Sequence, residues 1–330
     1  MIKYNNELNL LVFLFLSIFV MLKFAKYINL IDKKNYRKKH KIDAALIGGI
    51  IFSLSFSYIL FSDNFNKTLS YIIIGSILIS IVGFIDDKYT LQPLNKIILQ
   101  LFPILYSLNQ GLVLNSLGNF NVIENLNLGS FSIIFSLLAV FLLVNSANYL
   151  DGKDGNLLTL FITVNLIFKF LYFDNSEIIR ITNYMILISI TLLIFNLINI
   201  QEYKIFLGDS GSLFIGFYLS FFLIYCANTT DIHPIILAST ITIFIYDFIA
   251  VSLERFYLRQ KVFKADNNHI HHLLNTKLKS NLLSLLSVNI CNLLFFVVNY
   301  YIFFFNNLFA LINYFIMFFV YLYMRHFLRG

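Results

Sequence analysis

Residues 131–155 read FSIIFSLLAVFLLVNSANYLDGKDG, an apolar run that ends in a cluster of amides, carboxylates and glycines. An α-helix needs about 20 predominantly apolar residues to cross the hydrocarbon of a bilayer. The same arrangement, an apolar run followed by polar residues, recurs along the chain. It predicts an all-α, polytopic membrane helix bundle whose chemistry lies at the helix ends.

The composition agrees with this class. The 330 residues are 59% hydrophobic and 12% charged, whereas a soluble domain carries roughly 25% charged residues. The apolar runs are too long and too uniform for a transmembrane β-barrel. No hydrophilic stretch is long enough to fold alone, so we predict one integral membrane domain over residues 1–330.

Eleven apolar segments are predicted to form transmembrane helices. Their approximate bounds are residues 8–28, 43–62, 69–85, 94–113, 131–149, 157–173, 180–199, 205–227, 234–253, 281–300 and 302–324.

The basic residues predict the orientation, because cytoplasmic loops carry an excess of Lys and Arg. With the N-terminus outside, 20 of the 24 Lys and Arg residues lie inside or at inner helix ends. The four outside are Lys3, Lys67, Lys169 and Arg180. The net charge of +7 therefore indicates membrane orientation and not nucleic-acid binding.

Five polar clusters fall on the predicted cytoplasmic face, which also holds the C-terminus. Polar residues at membrane level are costly unless they serve a site. This placement favours an enzyme that takes a polar substrate from that face and a lipid from the bilayer. The clusters are Asp32–His40, Asp86-Asp87, Asn148–Gly155, the turn around Asp209, and His269–His272.

Asp86 and Asp87 end the third predicted helix. Two adjacent carboxylates cannot both ionise cheaply in a partly dry site without a balancing cation or donors. The pair therefore suits a metal site or a base, and Lys96, nine residues after Asp87, could meet a phosphate. The alternative is a solvated loop with helix-capping acids.

Asn148, Asp151 and Asp154 are spaced by three, which places them near one face of a helix end. Their oxygen atoms suit Mg²⁺, and the alternative is an Asp-Gly turn. Asp209, between Gly208 and Gly211, is predicted to open a helix. An acid there could hold Mg²⁺ against a diphosphate, or it could simply be an N-cap.

His269, His271 and His272 lie in a predicted inner loop. Imidazoles can donate to phosphate oxygens. Zinc is disfavoured because no Cys or second His cluster completes a tetrahedral set, and the alternative is a polar surface loop. The chain contains no P-loop, no dinucleotide-binding glycine motif, and no Gly-x-Ser-x-Gly or HExxH element.

In their order along the chain, these clusters resemble the motifs of the polyprenyl-phosphate N-acetylhexosamine-1-phosphate transferase family, glycosyltransferase family 4. Asp86-Asp87 is similar to its Asp-Asp motif, and Asn148–Gly155 to its Asn-x-x-Asp-Gly-x-Asp-Gly motif. Phe206–Ser212 is similar to its Gly-Asp-x-Gly-Ser motif, and His269–His272 to its His-Ile-His-His loop. The resemblance runs from Asp32 to His272.

The resemblance implies a function. Family members transfer a sugar 1-phosphate from a UDP-sugar, such as UDP-N-acetylglucosamine or another UDP-N-acetylhexosamine, to undecaprenyl phosphate. UMP is released, with Mg²⁺ as cofactor and Mn²⁺ as an alternative. The implied place is the bacterial inner membrane, at the first membrane step of O-antigen, lipopolysaccharide or related cell-envelope polysaccharide synthesis. A homodimer is compatible with the sequence, and no nucleic-acid partner is implied.

The resemblance also implies roles for individual residues, each of which would touch a substrate or the metal ion. These are Asn148 and Asp209 as metal ligands; Asp86, with Asp87 beside it, as catalytic base or acceptor-phosphate positioner; Lys96 on a phosphate; Asp151 and Asp154 in the uridine pocket; and His269, His271 and His272 on the sugar phosphate.

Two other classes remain open at this stage. A transporter or flippase for a lipid-linked sugar would place polar sites near the midplane, often at broken helices in two related halves. The two halves of this sequence show no kinship, and its polar residues lie at predicted helix ends. A membrane scaffold without enzymatic activity is the third reading.

Overall fold

The computed structural model describes residues 2–32, 43–120, 124–152, 155–198, 204–259 and 268–329. Within these ranges the chain forms thirteen α-helices. They are α1 (Ile2–Ala25), α2 (Gly48–Ser62), α3 (Lys67–Tyr89), α4 (Pro93–Asn109), α5 (Ser132–Leu150), α6 (Asn156–Leu171), α7 (Ser176–Leu197), α8 (Gly208–Thr229), α9 (Pro234–Thr240), α10 (Thr242–Tyr257), α11 (Ile270–Leu278), α12 (Asn281–Phe305) and α13 (Asn307–Arg329).

The all-α polytopic prediction is confirmed, since most residues of every predicted apolar segment lie in helices. In the described residues, seven helices are long and apolar enough to cross a membrane, or eight if the bent pair α9 and α10 is one span. Helices α2 and α6 are apolar but shorter. The number of eleven spans therefore stays a prediction.

Two local predictions were wrong. The ninth apolar segment is not continuous, because α9 and α10 meet at an angle of 73°. The histidine segment is not only a loop: Ile270, His271 and His272 open the short helix α11. The helix signal was missed because only nine residues form it, and such a length carries little hydrophobic periodicity.

The bend between α9 and α10 is stabilised by Asn292 of α12, which is fully buried. Its side-chain oxygen accepts a hydrogen bond from the backbone N–H of Ile243 at 3.2 Å. Its amide donates to the carbonyl oxygen of Thr240 at 2.9 Å. A break in a helix frees backbone groups that are costly to leave unpaired away from water, and this one side chain pairs two of them.

A small three-stranded sheet was not predicted. It consists of β1 (Ile31–Asp32), β2 (Ala44–Leu46) and β3 (Lys204–Phe206). Strands β1 and β2 are antiparallel, whereas β2 and β3 are parallel. Strand β2 leads into α2, and β3 leads into α8, so the parallel pair brings the first residues of these two helices together.

The chain divides into two compact units. The first comprises Met1–Gln110 and Asp151–Leu219, and the second comprises Gly111–Leu150 and Ser220–Gly330. Helix α8 contributes to both units. The single-domain prediction stays a prediction.

The core of the first unit is aromatic around the first half of α8. Phe214 of α8 packs against Phe52 and Phe56 of α2, with ring centroids 5.1 and 4.6 Å apart. Tyr218, one helical turn later, lies 5.8 Å from Phe56 and 5.9 Å from Phe161 of α6. All five side chains are fully buried. This packing anchors α8, whose first turn carries Asp209.

Candidate active site

Carboxylates from four parts of the first unit line one cavity of about 430 Å³. Strand β1, the end of α3, the segment between α5 and α6, and the start of α8 all contribute. The structure therefore brings together residues that lie far apart in the sequence. The acidic residues that line the cavity are Asp32, Asp86, Asp87, Asp151 and Asp209.

Lys96 bridges two of these carboxylates. Its Nζ lies 2.7 Å from Oδ2 of Asp86 and 2.9 Å from Oδ2 of Asp209. The other oxygen of Asp86 accepts a hydrogen bond from the backbone N–H of Leu91 at 2.7 Å. Three residues that the sequence predicted as site members thus form one cluster, with the ammonium group between two carboxylates.

Asp87 caps helix α8 from a neighbouring helix. Its two carboxylate oxygens accept hydrogen bonds from the backbone N–H groups of Asp209 at 2.8 Å and Ser210 at 3.0 Å. These N–H groups have no partner within their own helix because they lie in its first turn. Asp209 itself is the second residue of α8, after Gly208, so the N-cap alternative for Asp209 is wrong.

Gly208 allows Asp87 to approach α8 so closely. Its φ is +72°, a conformation that L-residues rarely adopt. A Cβ atom at this position would lie 2.7 Å from Oδ2 of Asp87. Glycine is therefore required here both for the backbone conformation and for the cap.

Replacing Asp87 by asparagine is expected to lower the free energy of unfolding by about 1–3 kcal/mol. Asparagine offers one acceptor oxygen for two N–H donors and removes the negative charge near the helix N-terminus. Thermal unfolding of the purified protein in detergent measures the effect. Asp174→Asn is the matched control, since Asp174 is exposed in the connection between α6 and α7. Equal Tm values for the two variants would contradict the capping role.

Asp151 lies just beyond α5, which ends at Leu150. The prediction that Asn148, Asp151 and Asp154 share one helical face is therefore wrong for Asp151, because the helix has already ended. Burial, together with the negative charges of Asp209 and Asp87, raises the pKa of Asp151 well above its usual value. Asp154, which the sequence placed in the same pocket, lies outside the described residues.

Asn148 belongs to the second unit, on the last turn of α5. Asp209 belongs to the first. Their pairing around a metal ion stays a prediction. The neighbouring residue Tyr149 packs against His269, with ring centroids 5.3 Å apart. In the second unit, the segment that carries Asn148 is therefore in contact with the histidine segment.

The three histidines lie at the start of α11. His271 is buried, and its two ring nitrogens have no hydrogen-bond partner among the described residues. Burial and the nearby His272 lower the pKa of His271 to about 3. The ring centroids of His271 and His272 are 4.0 Å apart. A neutral imidazole with two unsatisfied nitrogens suits a contact with a polar ligand, since buried polar groups are otherwise paired.

Asp247 was not among the candidate site residues that the sequence indicated. This carboxylate is fully buried in α10 and binds His269. A signal was present, because an ionisable residue inside an apolar helix is by default a candidate functional residue. Asp32 was also not singled out from its basic loop, although it lines the cavity.

The sequence profile of glycosyl transferase family 4 matches residues 69–227, a range that includes Asp86, Lys96, Asp151 and Asp209. The chain is 30% identical over 266 residues to the undecaprenyl-phosphate alpha-N-acetylglucosaminyl 1-phosphate transferase of Yersinia pestis. That match covers 78% of this chain and 72% of the relative.

Two further relatives agree. The enzyme of the same name from Escherichia coli (strain K12) is 29% identical over 283 residues, which covers 80% of this chain and 74% of the relative. A probable undecaprenyl-phosphate N-acetylglucosaminyl 1-phosphate transferase of Bacillus subtilis (strain 168) is 25% identical over 280 residues. That match covers 84% of this chain and 78% of the relative. The chain, a multi-pass membrane protein by its helices, belongs to glycosyl transferase family 4.

Proposed function

We propose that the protein transfers a sugar 1-phosphate, from UDP-N-acetylglucosamine or a related UDP-N-acetylhexosamine, to undecaprenyl phosphate and releases UMP. The relatives are named for the N-acetylglucosaminyl 1-phosphate group and for the undecaprenyl-phosphate acceptor. The observation that carries the proposal is the Lys96 ammonium held between Asp86 and Asp209 in an acidic cavity. In this cluster, an ammonium group that can bind phosphate lies beside carboxylates that suit a metal ion.

The chemistry joins two anions. An oxygen of the acceptor phosphate forms a bond to the β-phosphorus of the UDP-sugar, and the bond from that phosphorus to the bridging oxygen breaks. UMP leaves with the bridging oxygen. Such transfers depend mainly on positioning and on charge stabilisation. Lys96 would contact a phosphate oxygen, and Asp86 would orient the acceptor.

A strong base is not required, since a phosphate monoester is largely dianionic near neutral pH. Direct attack by the lipid phosphate is therefore the simplest route. A covalent aspartyl-phosphate route through Asp86 is the alternative. A phosphosugar trapped on the protein in the absence of lipid acceptor would refute direct attack.

The residues of the cavity fit Mg²⁺, which binds oxygen ligands and is often held by one or two carboxylates, waters and substrate phosphates. Among the described residues, no three His, Cys, Asp or Glu side chains form a ready-made metal site. The fit is therefore to an ion held by Asp209 and completed by the diphosphate, while Asn148 stays the second ligand predicted from the sequence. When bound, the ion would neutralise negative charge at the transferring phosphorus.

An acidic cavity by itself repels a diphosphate. Besides Asp151, whose raised pKa favours its neutral form, four acidic side chains line it and outnumber the Lys96 ammonium that two of them share. We therefore expect donor binding to require a divalent cation. Membranes treated with EDTA should lose UMP release, and added Mg²⁺ or Mn²⁺ should restore it. Unchanged turnover in EDTA would refute the metal requirement.

The function is tested by UMP release from membranes that contain the protein, supplied with undecaprenyl phosphate, Mg²⁺ and a panel of UDP-sugars. We expect release with at least one UDP-N-acetylhexosamine and none without the lipid acceptor. Movement of a lipid-linked sugar across the bilayer without UMP release would instead favour the transporter reading.

The proposed location is the bacterial inner membrane, with the N-terminus outside and with the active site and the C-terminus in the cytoplasm. The distribution of basic residues supports this orientation. A cytoplasmic site would have direct access to a nucleotide sugar, while the acceptor reaches it from the inner leaflet. The corresponding role is the first membrane step of O-antigen, lipopolysaccharide or related polysaccharide synthesis.

A further inference from the structure

Asp247 is a carboxylate buried completely within the apolar helix α10 of the second unit. Removing a charged group from water is costly unless it is paired and hydrogen-bonded. Replacing a buried ion pair by apolar residues often leaves a protein equally or more stable. Stability alone is therefore a weak reason for a carboxylate at this position.

Three donors surround Asp247. Nδ1 of His269 lies 2.6 Å from Oδ2. Oδ1 accepts hydrogen bonds from the backbone N–H of Ile270 at 3.0 Å and from the hydroxyl of Tyr321 at 2.7 Å. Ile270 is the first residue of α11, and His269 makes no side-chain cap of its own. The carboxylate thus holds both the imidazole of His269 and the start of the helix that carries His271 and His272.

These contacts decide which nitrogen of His269 carries the proton. An ionised carboxylate only accepts hydrogen bonds, so Nδ1 must be the protonated nitrogen. Nε2 is then the nitrogen that can accept from a sugar hydroxyl or, once protonated, donate to a phosphate oxygen. The ring is also fixed from the side by Tyr149, which lies 5.3 Å away between centroids.

The last helix, α13, holds this arrangement in place. Tyr321, Arg325 and Arg329 are spaced by four residues and share one helical face. Arg325 is buried and donates to the carbonyl oxygen of Asn268 at 2.7 Å. Arg329 forms two hydrogen bonds of 2.6 Å with the carboxylate of Glu254 on α10. One face of α13 therefore binds both the residue before His269 and the helix that carries Asp247.

We propose that Asp247, held by Tyr321, is a positioning residue for the transfer reaction. By binding Nδ1 of His269 it fixes the ring and its tautomer, so that Nε2 meets the sugar-phosphate part of the donor. This role rests on the proposed function. It assigns the C-terminal helix α13 a part in the reaction that none of the sequence motifs indicates.

A matched pair of variants separates positioning from packing. Tyr321 and Tyr246 are both buried, and the hydroxyl of each links α10 to α13. Tyr321→Phe and Tyr246→Phe each remove one of these hydroxyls. Only the Tyr321 hydroxyl binds Asp247, whereas that of Tyr246 donates to the carbonyl oxygen of Tyr314. We expect Tyr321→Phe to lower kcat for UMP release by about five-fold with little change in KM, and Tyr246→Phe to leave kcat unchanged.

Asp247→Asn should have a larger effect, a loss of about 10- to 100-fold in kcat, the range found for partners that orient metal-ligating histidines. The asparagine offers one oxygen to three donors. Equal kcat values for Tyr321→Phe and Tyr246→Phe would overturn the proposal, even if Asp247→Asn does not fold.

A spectroscopic readout is independent of activity. In ¹⁵N-histidine-labelled protein, the signal of His269 is identified among the six histidines by its loss in His269→Gln. We expect Nδ1 to carry a proton, and an unprotonated Nδ1 would overturn the proposal. If no UDP-sugar supports UMP release, the proposed function fails, while this measurement still tests the pairing of Asp247 with His269.

Discussion

Asp209→Asn is expected to reduce kcat for UMP release by about 10²- to 10³-fold, the usual cost of removing one group that stabilises charge in a transition state. Asparagine has nearly the same size but no charge. Lys96 would lose one of its two carboxylate partners, since its Nζ lies 2.9 Å from Asp209. The proposed Mg²⁺ would lose an anionic ligand.

The measurement is the rate of UMP release at saturating substrates, with protein amounts matched by size-exclusion chromatography in detergent. The Mg²⁺ concentration that gives half-maximal rate should rise in the variant. Asp174→Asn serves as the control, because it makes the same chemical change at an exposed position. Full turnover by Asp209→Asn would remove this residue from the chemistry.

Gly49→Ala is expected to have the second large effect, on both stability and activity. A Cβ atom at Gly49 of α2 would lie 2.2 Å from the backbone nitrogen of Gly211 and 2.3 Å from the carbonyl carbon of Ser210. These are backbone atoms, so the contact cannot be relieved by rotating a side chain. Overpacking of this kind costs typically about 1–3 kcal/mol and occasionally more.

The same substitution should lower activity because the first turn of α8 carries Asp209. A displacement of about 1 Å at a reacting group can reduce the rate by roughly 10²-fold. Gly83 of α3 approaches the same turn, where its Cβ would lie 2.4 Å from the backbone of Ser210. Helices α2 and α3 thus both require glycine where they meet the start of α8.

Gly111→Ala is the matched control for Gly49→Ala. Gly111 has open space around the position of a Cβ, and its φ of +84° adds only backbone strain, which costs about 1–2 kcal/mol. Thermal unfolding and UMP release are measured for both variants. If Gly111→Ala lost as much activity as Gly49→Ala, the close packing of α2 on α8 would not be what positions Asp209.

Several parts of the site could be predicted from the sequence because they lie close together along the chain. Asp86 and Asp87 are adjacent, and the three histidines fall within four residues. Their residue types restrict the chemistry to carboxylates and imidazoles, whatever the packing. The placement of Lys96 near the start of α4 was also predictable, since apolar periodicity locates a helix to within a few residues.

The functions of the two aspartates could not be separated from sequence. Asp86 pairs with Lys96, whereas Asp87 accepts hydrogen bonds from the first turn of α8. Successive residues on a helix point about 100° apart, so neighbours meet different elements. Which element each aspartate contacts depends on how α3 packs, and the local sequence pattern does not contain that information.

The sequence by itself determined the class of the molecule, its helices and the chemical nature of its polar clusters. Hydropathy and segment length are local properties, and whether a helix can span a bilayer depends directly on both. The tertiary structure alone decided that Lys96 joins Asp209, 113 residues away, and that Tyr321 reaches Asp247 across 74 residues. Such pairings depend on glycines that allow helices to approach closely, and on buried groups that pair with charged side chains. Both result from packing between distant segments, where each contact is set by many residues together.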